Sequence, residues 1–439
     1  MSQGPAWIKR WDSFWFTPTS PVPIAVFRII FGIILLEDQL VHLLPDFNMY
    51  YSTHNLIPIK EMIACYWTND PNFDVLLCLP QDDRWLLGAF YIMVAATFLM
   101  TIGLYTRLST WIVYFMMMSF GHHLELNQNA GDNYLRIVAL CMAFSSAGDA
   151  LSLDNLLRSF KQDWRLTGFM PVYSAPWAQR LIQIQLAIAY CHTFFCKISG
   201  FRWNDGYATY FATRYDDVQR FPLPHFVDQP WFYIVTTYGT LFVEFILWNL
   251  IWWKPARNWV ILFGVLLHLG IEYCMNLPMF EWTFMLTYLL YYDGTELSAV
   301  WSKLKTFINA KCGEPYVLGF DSQSIMAIRA VGVMHRLDIF GRFDGHDLRE
   351  TALQEALKNT DIEDQVLVRK RNGQWLSGFE AFRFMALRMP VLMPLAILLY
   401  IPILSLFAKA IYNAFAANRA LFLADAPKQA KVASGGAAS

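Results

Sequence analysis

Charge is scarce in this chain: Asp, Glu, Lys and Arg make up 16% of its 439 residues, against roughly 25% in an ordinary soluble domain. The formal net charge is −1, which excludes a generally basic nucleic-acid binder. Cysteine is sparse too. Seven are scattered at positions 65, 78, 141, 191, 196, 274 and 312, with no C-x-x-C. Neither a disulfide framework nor a zinc site is expected, and only Cys65 with Cys78 leaves a bridge open. His122 and His123, with Glu125 nearby, do not alter this, because adjacent helical residues point about 100° apart and rarely ligate one ion. No metal is expected. The first apolar run starts near Pro23, lacks a small-residue cleavage site and is too long for a signal h-region, so no cleavable leader is expected.

What is plentiful is apolar and aromatic: 56% hydrophobic residues, with 35 Phe, 17 Trp and 21 Tyr. Such rings suit a membrane interface, where one end is apolar and the other wet. Eight segments approach the roughly 20 residues a span needs, near 22–44, 84–104, 108–125, 134–149, 178–198, 231–253, 258–275 and 277–293. They carry unusual polar groups, among them Arg28, Glu37, Asp38, Arg136, Gln183, Glu244, His268 and Glu272. Groups like these face a bundle interior or a wet cavity, as interhelical pairs or as working residues. Lys and Arg in the short loops place the N-terminal segment 1–21 and everything after 293 in the cytoplasm. Lys197 and the 124–133 loop then fall near the outer face.

After Tyr292 the pattern becomes that of a soluble α/β module. Val317–Phe320 and Gln365–Arg369 read as strands, Ser324–Leu337 as a helix, and Asn372-Gly373 as a hairpin turn. Residues 390–411 are apolar but hold three prolines, which favours a membrane-adjacent helical pair over a ninth span. The tail 424–439 is Ala-, Gly- and Ser-rich and is expected to be disordered.

The fifth apolar helix ends on Lys197, followed by a glycine-broken turn with Trp203, Asp205 and Gly206. An ammonium there either snorkels, pairs or works, and a desolvated lysine is a usable base. Gln183, fourteen residues earlier, shares its face four turns deeper and cannot touch it. Pairing of Lys197 with Asp205 or Asp132 is the alternative to catalysis. His268 and Glu272 lie one turn apart and can share a face as a proton-tuning or structural pair.

Several motifs occur in order: Arg28 with Phe31-Gly32, Glu37, His42, Gly103-Leu-Tyr-Thr-Arg107, His122-His123, Asn129-Ala-Gly131-Asp132-Asn133-Tyr134 and Ser152-Leu-Asp154. Gln183, Tyr190, Lys197, Trp203, Gly206, Glu244 and His268 complete the series. Over roughly 20–295 it resembles the HTTM family, the membrane bundle of vitamin K-dependent γ-glutamyl carboxylase and its bacterial relatives. The resemblance implies that Lys197, before Trp203-Asn-Asp-Gly206, is a base acting on a hydroquinone, with one residue more between Lys and Trp than the family spacing. It matches His268, ahead of Met279-Phe280, with a functional histidine of the family. It also puts Asp132 where the carboxylases have a histidine, a departure that bears on carboxylation itself. Trp203, Gly206, Gln183, Glu244 and Glu272 would line the substrate or cofactor cavity.

The C-terminal part resembles the DCC group of thioredoxin-like thiol–disulfide oxidoreductases, which open with Tyr-Asp-Gly-x-Cys-x-x-Cys. Here the stretch reads Phe320-Asp321-Ser322-Gln323-Ser324-Ile325-Met326-Ala327, a degenerate redox motif with Ser324 and Ala327 at the cysteine positions. Dithiol exchange needs an attacking and a resolving sulfur, so docking or scaffolding is expected of residues 312–423 instead.

The expected architecture is an all-α polytopic membrane bundle of about eight transmembrane helices over 22–295, followed by a small cytoplasmic α/β thioredoxin-like domain. A bacterial inner membrane is the expected location, with membrane lipids and other membrane protein subunits as partners and no nucleic acid. Three functions stay open. One is a carboxylase-like, quinone-linked enzyme with a quinone or hydroquinone cofactor. The second is a non-catalytic accessory subunit of a membrane complex, and the third a peptide or toxin maturation or export factor. No segment is of the size with which the carboxylases hold a protein substrate, which weighs against γ-glutamyl carboxylation.

Overall fold

The structure is a computed structural model, and residues 5–66, 74–123, 128–162, 172–321, 325–348 and 366–417 are described. Ser324, Glu125, the Cys65 side chain and the tail 424–439 lie outside the described residues. Two compact units are formed, Met1–Arg158 with Pro171–Ala299, and Ser159–Met170 with Val300–Ser439.

The first unit is helical. Its main elements are α1 (Ala6–Phe16), α2 (Val22–Glu37), α3 (Phe47–Tyr50), α4 (Ile59–Tyr66), α5 (Asp83–Ile102), α6 (Thr106–His123), α7 (Ala130–Ala143) and the first part of α8 (Leu153–Gln162). There follow α9 (Trp177–Ile198), α10 (Phe201–Asn204), α11 (Ala208–Ala212), α12 (Pro230–Asn249), α13 (Lys254–Cys274) and α14 (Phe280–Thr287). A π-turn, Asp38–Leu43, continues α2, and a 3₁₀ turn, Tyr288–Tyr291, continues α14. α2 packs on α5 and α14, α6 on α5 and α7, and α9 on α7 and α12, while α13 joins α12 to α14. Phe27, Phe31, Met100, Val113, Val138 and Leu186 fill the core between them.

Helix ends follow local chemistry. Asp82 caps α5 by accepting the Arg84 N–H at 2.8 Å. Asp154 caps α6 from a distance, accepting the Tyr105 N–H at 2.8 Å and the Thr106 N–H at 2.7 Å. α5 ends on Gly103 at φ 72°, and the Leu104 N–H returns to the Leu99 carbonyl at 2.9 Å. That left-handed cap needs glycine twice over, since a Cβ would lie 2.4 Å from Ser152 Cβ and 2.8 Å from its Cα. Gly103→Ala should therefore lose about 1–3 kcal/mol from backbone strain alone. A thermal midpoint in lipid unchanged from wild type would contradict this.

The count of eight spans is not met. Among the described residues three helices, α5, α9 and α12, are long and apolar enough to cross a membrane. The other segments are helical but interrupted: α2 yields to the π-turn at Asp38 after 16 residues, α7 has 14 and α14 has 8. α6 carries Arg107, His122 and His123, and α13 carries Lys254, Arg257, His268 and Glu272.

The second unit carries the C-terminal part of α15 (Gly294–Cys312) and a four-stranded sheet. Its strands are β1 (Tyr316–Phe320), β2 (Phe343–Asp347), β3 (Leu367–Arg369) and β4 (Trp375–Ser377), in the order β2-β1-β3-β4. β1 and β2 are parallel across α16 (Ile325–Leu337), and the other pairs are antiparallel. Gly373, at φ 84°, makes the β3–β4 hairpin. Leu318, Val331, Phe343, Val368, Phe384 and Met385 form the core. The 390–411 run is broken in two, Met393–Leu399 and the start of Pro402–Ala417, because Pro402 cannot continue the preceding helix.

Candidate active site

Lys197 occupies the last turn of α9, and its Nζ donates to Glu244 Oε1 on α12. The Lys197 side chain is 27% exposed and that of Glu244 6%, so the pair sits at the edge of the buried interior. The Trp203 ring on α10 covers the ammonium, with Nζ 5.1 Å from the ring centroid, a cation–π contact. Neither Asp205, which binds Arg202 at 3.2 Å, nor Asp132 is the partner. Glu244 Oε2 is buried with no hydrogen-bond partner among the described residues.

Two turns deeper on the same face of α9 lies Tyr190. Its hydroxyl meets His268 Nε2 at 2.5 Å and the Tyr288 hydroxyl at 2.6 Å. His268 Nδ1 bonds Glu281 Oε2. His268 is 2% exposed and Glu281 fully buried. With Glu281 as a carboxylate and a neutral imidazole, Nδ1–H donates to Glu281, Tyr190 O–H donates to Nε2, and Tyr288 donates to Tyr190. Phe280 and Phe284 flank the imidazole. Gly264 leaves room for the Tyr288 hydroxyl, 2.7 Å from where a Cβ would stand.

Glu281 and Tyr288 are the residues sequence reasoning missed. Helical spacing nominated Glu272 as the partner of His268, and that expectation is wrong. Glu272 instead takes Arg220 and the Trp282 indole N–H. The chain reverses at Pro278 between α13 and α14, which brings Glu281 back against His268 thirteen residues on. A carboxylate just beyond a proline turn was the available signal.

Residues 16–295 match the HTTM domain family, and residues 320–424 match the DCC1-like thiol-disulfide oxidoreductase family. The chain belongs to the HTTM family. No curated protein and no solved structure gives a significant match.

Within the HTTM bundle the remaining nominated residues are dispersed. Gln183 is 1% exposed and fastens α9 to the 3₁₀ turn, its Nε2 donating to the Leu290 carbonyl at 2.6 Å while its backbone carbonyl accepts Tyr291 O–H at 2.7 Å. Gly206, at φ 81°, turns the chain from α10 into α11. Asp132 is not joined to Lys197. It closes a capping box at the start of α7, with Asn129 N–H on its Oδ2 at 2.7 Å, and it lines a separate cavity of about 480 Å³. Burial lifts its carboxyl above the usual aspartate range, against the pull of the Asn129 N–H and Arg136. His123 Nε2 lies 2.9 Å from Asp74 Oδ2. In the DCC1-like part, Ala327 is 2% exposed on α16, and Asp321 is half-buried at the end of β1.

Proposed function

We propose that the HTTM bundle is a membrane-embedded, carboxylase-like enzyme core that abstracts a proton from a lipid-soluble hydroquinone, with Lys197 as the base. Membrane embedding rests on the three apolar helices and on the large side chains their outer faces expose, such as Ile92, Phe98, Ile188, Val235 and Phe242. α1 adds Trp7 and Trp11, 70% and 60% exposed, beside Lys9 and Arg10, the composition of an interfacial helix. We place the protein in a bacterial inner membrane with its N-terminus and C-terminal module cytoplasmic, following the distribution of Lys and Arg.

The observation that carries the enzymatic reading is the Lys197–Glu244 pair, edged by Trp203 and backed by the buried chain Glu281–His268–Tyr190–Tyr288. The pair fits a ring hydroxyl, because Glu244 Oε2 is a buried acceptor with no hydrogen-bond partner among the described residues. A bound hydroquinone would supply that acidic hydroxyl and the reducing electrons. Lys197 passes a proton to Glu244 along the bond they share and then accepts one at Nζ from the ligand. His268 and the tyrosines hold the low-dielectric floor of the site in one hydrogen-bonded order. General-base catalysis contributes roughly 10²–10⁴-fold. Lys197→Arg in proteoliposomes, which keeps the pair but not the base, should therefore slow consumption of a short-chain naphthohydroquinone about 100-fold, followed by absorbance. An equal rate in variant and wild type would refute the role of Lys197.

A wild type that consumes no hydroquinone favours the second reading, an accessory subunit of a membrane complex. One observation supports it: residues 320–424 contain no cysteine, so the DCC1-like module has no thiolate to exchange. Its last helix among the described residues, Pro402–Ala417, exposes Ile403, Leu406, Phe407 and Ile411, at 66–71%, the face a membrane partner subunit would cover.

A further inference from the structure

The cavity beside Asp132 shares no residue with the Lys197 cluster. It lies among the π-turn, α5, α6, α7 and the turn between α13 and α14, and its volume of about 480 Å³ is in the range of small-molecule sites. The π-turn shapes one wall. An α-helix widened to i→i+5 bonding presents extra side chains to one side, and such bulges recur at functional sites. Here Asp38, Gln39, His42 and Leu43 all reach the cavity.

Gln39 is the decisive side chain. It is 2% exposed, and its Nε2 donates to Thr97 Oγ1 at 3.1 Å. The Thr97 hydroxyl proton is already committed to the Met93 carbonyl at 2.9 Å. Thr97 can then only accept from Gln39, so the amide cannot flip and Oε1 must stand as an acceptor. Oε1 has no partner among the described residues. A buried acceptor left unpaired on a residue of the cavity lining is costly unless a ligand satisfies it.

The titratable groups beside it are acidic in excess. Asp38, Asp46 and Asp132 line the cavity against Arg136 and His42. Arg136 follows Asp132 by one turn of α7 and is coupled to it. His42 stands 3.3 Å from Glu37. Asp38 has His42, Asp132 and Glu37 as its charged neighbours. Leu35, Met93, Met117, Phe120 and Leu135 supply the apolar part of the lining, with Gln128, Asn129 and Asn276 as further polar groups.

We propose that this cavity binds an organic cation, its ammonium donating to Asp38 and Gln39 Oε1 and its apolar body lying against Phe120 and the methionines. The site stands apart from the reading of Lys197 and does not depend on it.

The test uses the full chain in lipid nanodiscs, with empty nanodiscs as baseline, and three matched probes: 2-phenylethylamine, 2-phenylethanol and 3-phenylpropanoate. Calorimetry should show saturable binding of the amine, at least tenfold tighter than the alcohol, with the acid unbound. Asp38→Asn should weaken the amine about tenfold, roughly the worth of one charge-assisted hydrogen bond. Gln39→Leu should weaken it several-fold, and Lys197→Arg should leave it unchanged. Alcohol or acid binding as tightly as the amine overturns the proposal, as does a wild type that binds none of the three. Should either cavity variant fail to fold, discrimination among the three probes by the wild type still decides. Loss of amine binding in Lys197→Arg would move the ligand to the other site and also overturn it.

Discussion

Replacing Arg28 by leucine should remove most of the folded protein recovered from the membrane. The side chain is fully buried in α2 and serves three carbonyls of one loop. Its Nη1 donates to Ala147 and, at 3.4 Å, to Ala150, and its Nη2 donates to Leu151 at 2.6 Å. Leu151 is itself at φ 46°, a left-handed conformation that a branched residue holds only when its surroundings impose it. Leucine fills part of the volume but leaves the carbonyls without donors. At about 1–3 kcal/mol for each stranded group, the loss is several kcal/mol in a fold whose whole stability is about 5–15 kcal/mol. The same loop carries Ser152 against Gly103 and Asp154 at the head of α6, so the damage spreads to the α5–α6 corner. Arg28→Lys should recover a fraction, because one ammonium cannot fork across the loop. Monodisperse yield and thermal midpoint are the readouts, and a leucine variant with wild-type values for both would show that the loop is held by something else.

Arg28, Gly103, Asn129, Asp132 and Asp154 were all visible in the sequence as members of one ordered series. What they do was not visible. Arg28 and Ala147 are 119 positions apart, and no periodicity reports a contact at that range. In the structure these residues cap helices and hold loops, so much of what makes the chain resemble its family is scaffold. Local chemistry was more legible. Lys197 and Trp203 are six residues apart, and the glycine-broken turn between them places ring over ammonium. Glu244 was marked as a buried acid, but nothing on α12 could say that it faces α9. β1, α16 and the Asn372-Gly373 hairpin follow from alternation and turn chemistry. β2, Phe-Asp-Gly-His-Asp, was missed because its residues are poor strand formers; it is a strand because β1 offers a parallel edge. The count of spans failed for a related reason. Composition registers apolar residues but not the π-turn at Asp38 or the change to 3₁₀ geometry after Thr287.

Lys197 and Glu244 should behave as a unit in stability and part company in activity. Glu244 is 5% exposed, with one carboxylate oxygen bonded to Lys197 and the other without a hydrogen-bond partner among the described residues. Lys197→Met would leave an unpaired carboxylate in the interior. Breaking a fully buried pair on one side costs roughly 3–5 kcal/mol, and the loss here should be smaller, because the Lys197 side chain is 27% exposed. Glu244→Leu strands the ammonium instead, but a lysine at a helix end can swing its head toward water, so that variant should suffer less. The double variant Lys197→Met/Glu244→Leu removes both charges and keeps the volume, and it should regain most of the stability lost by Lys197→Met. Thermal midpoints of the four proteins in one lipid give the coupling. Losses that simply add would show that the pair contributes nothing as a pair. The double variant then separates structure from chemistry: it is folded but has no base, so hydroquinone consumption must stay at background. A double variant that folds and still turns over would assign the proton transfer to the other polar chain, where His268 links Glu281 to Tyr190.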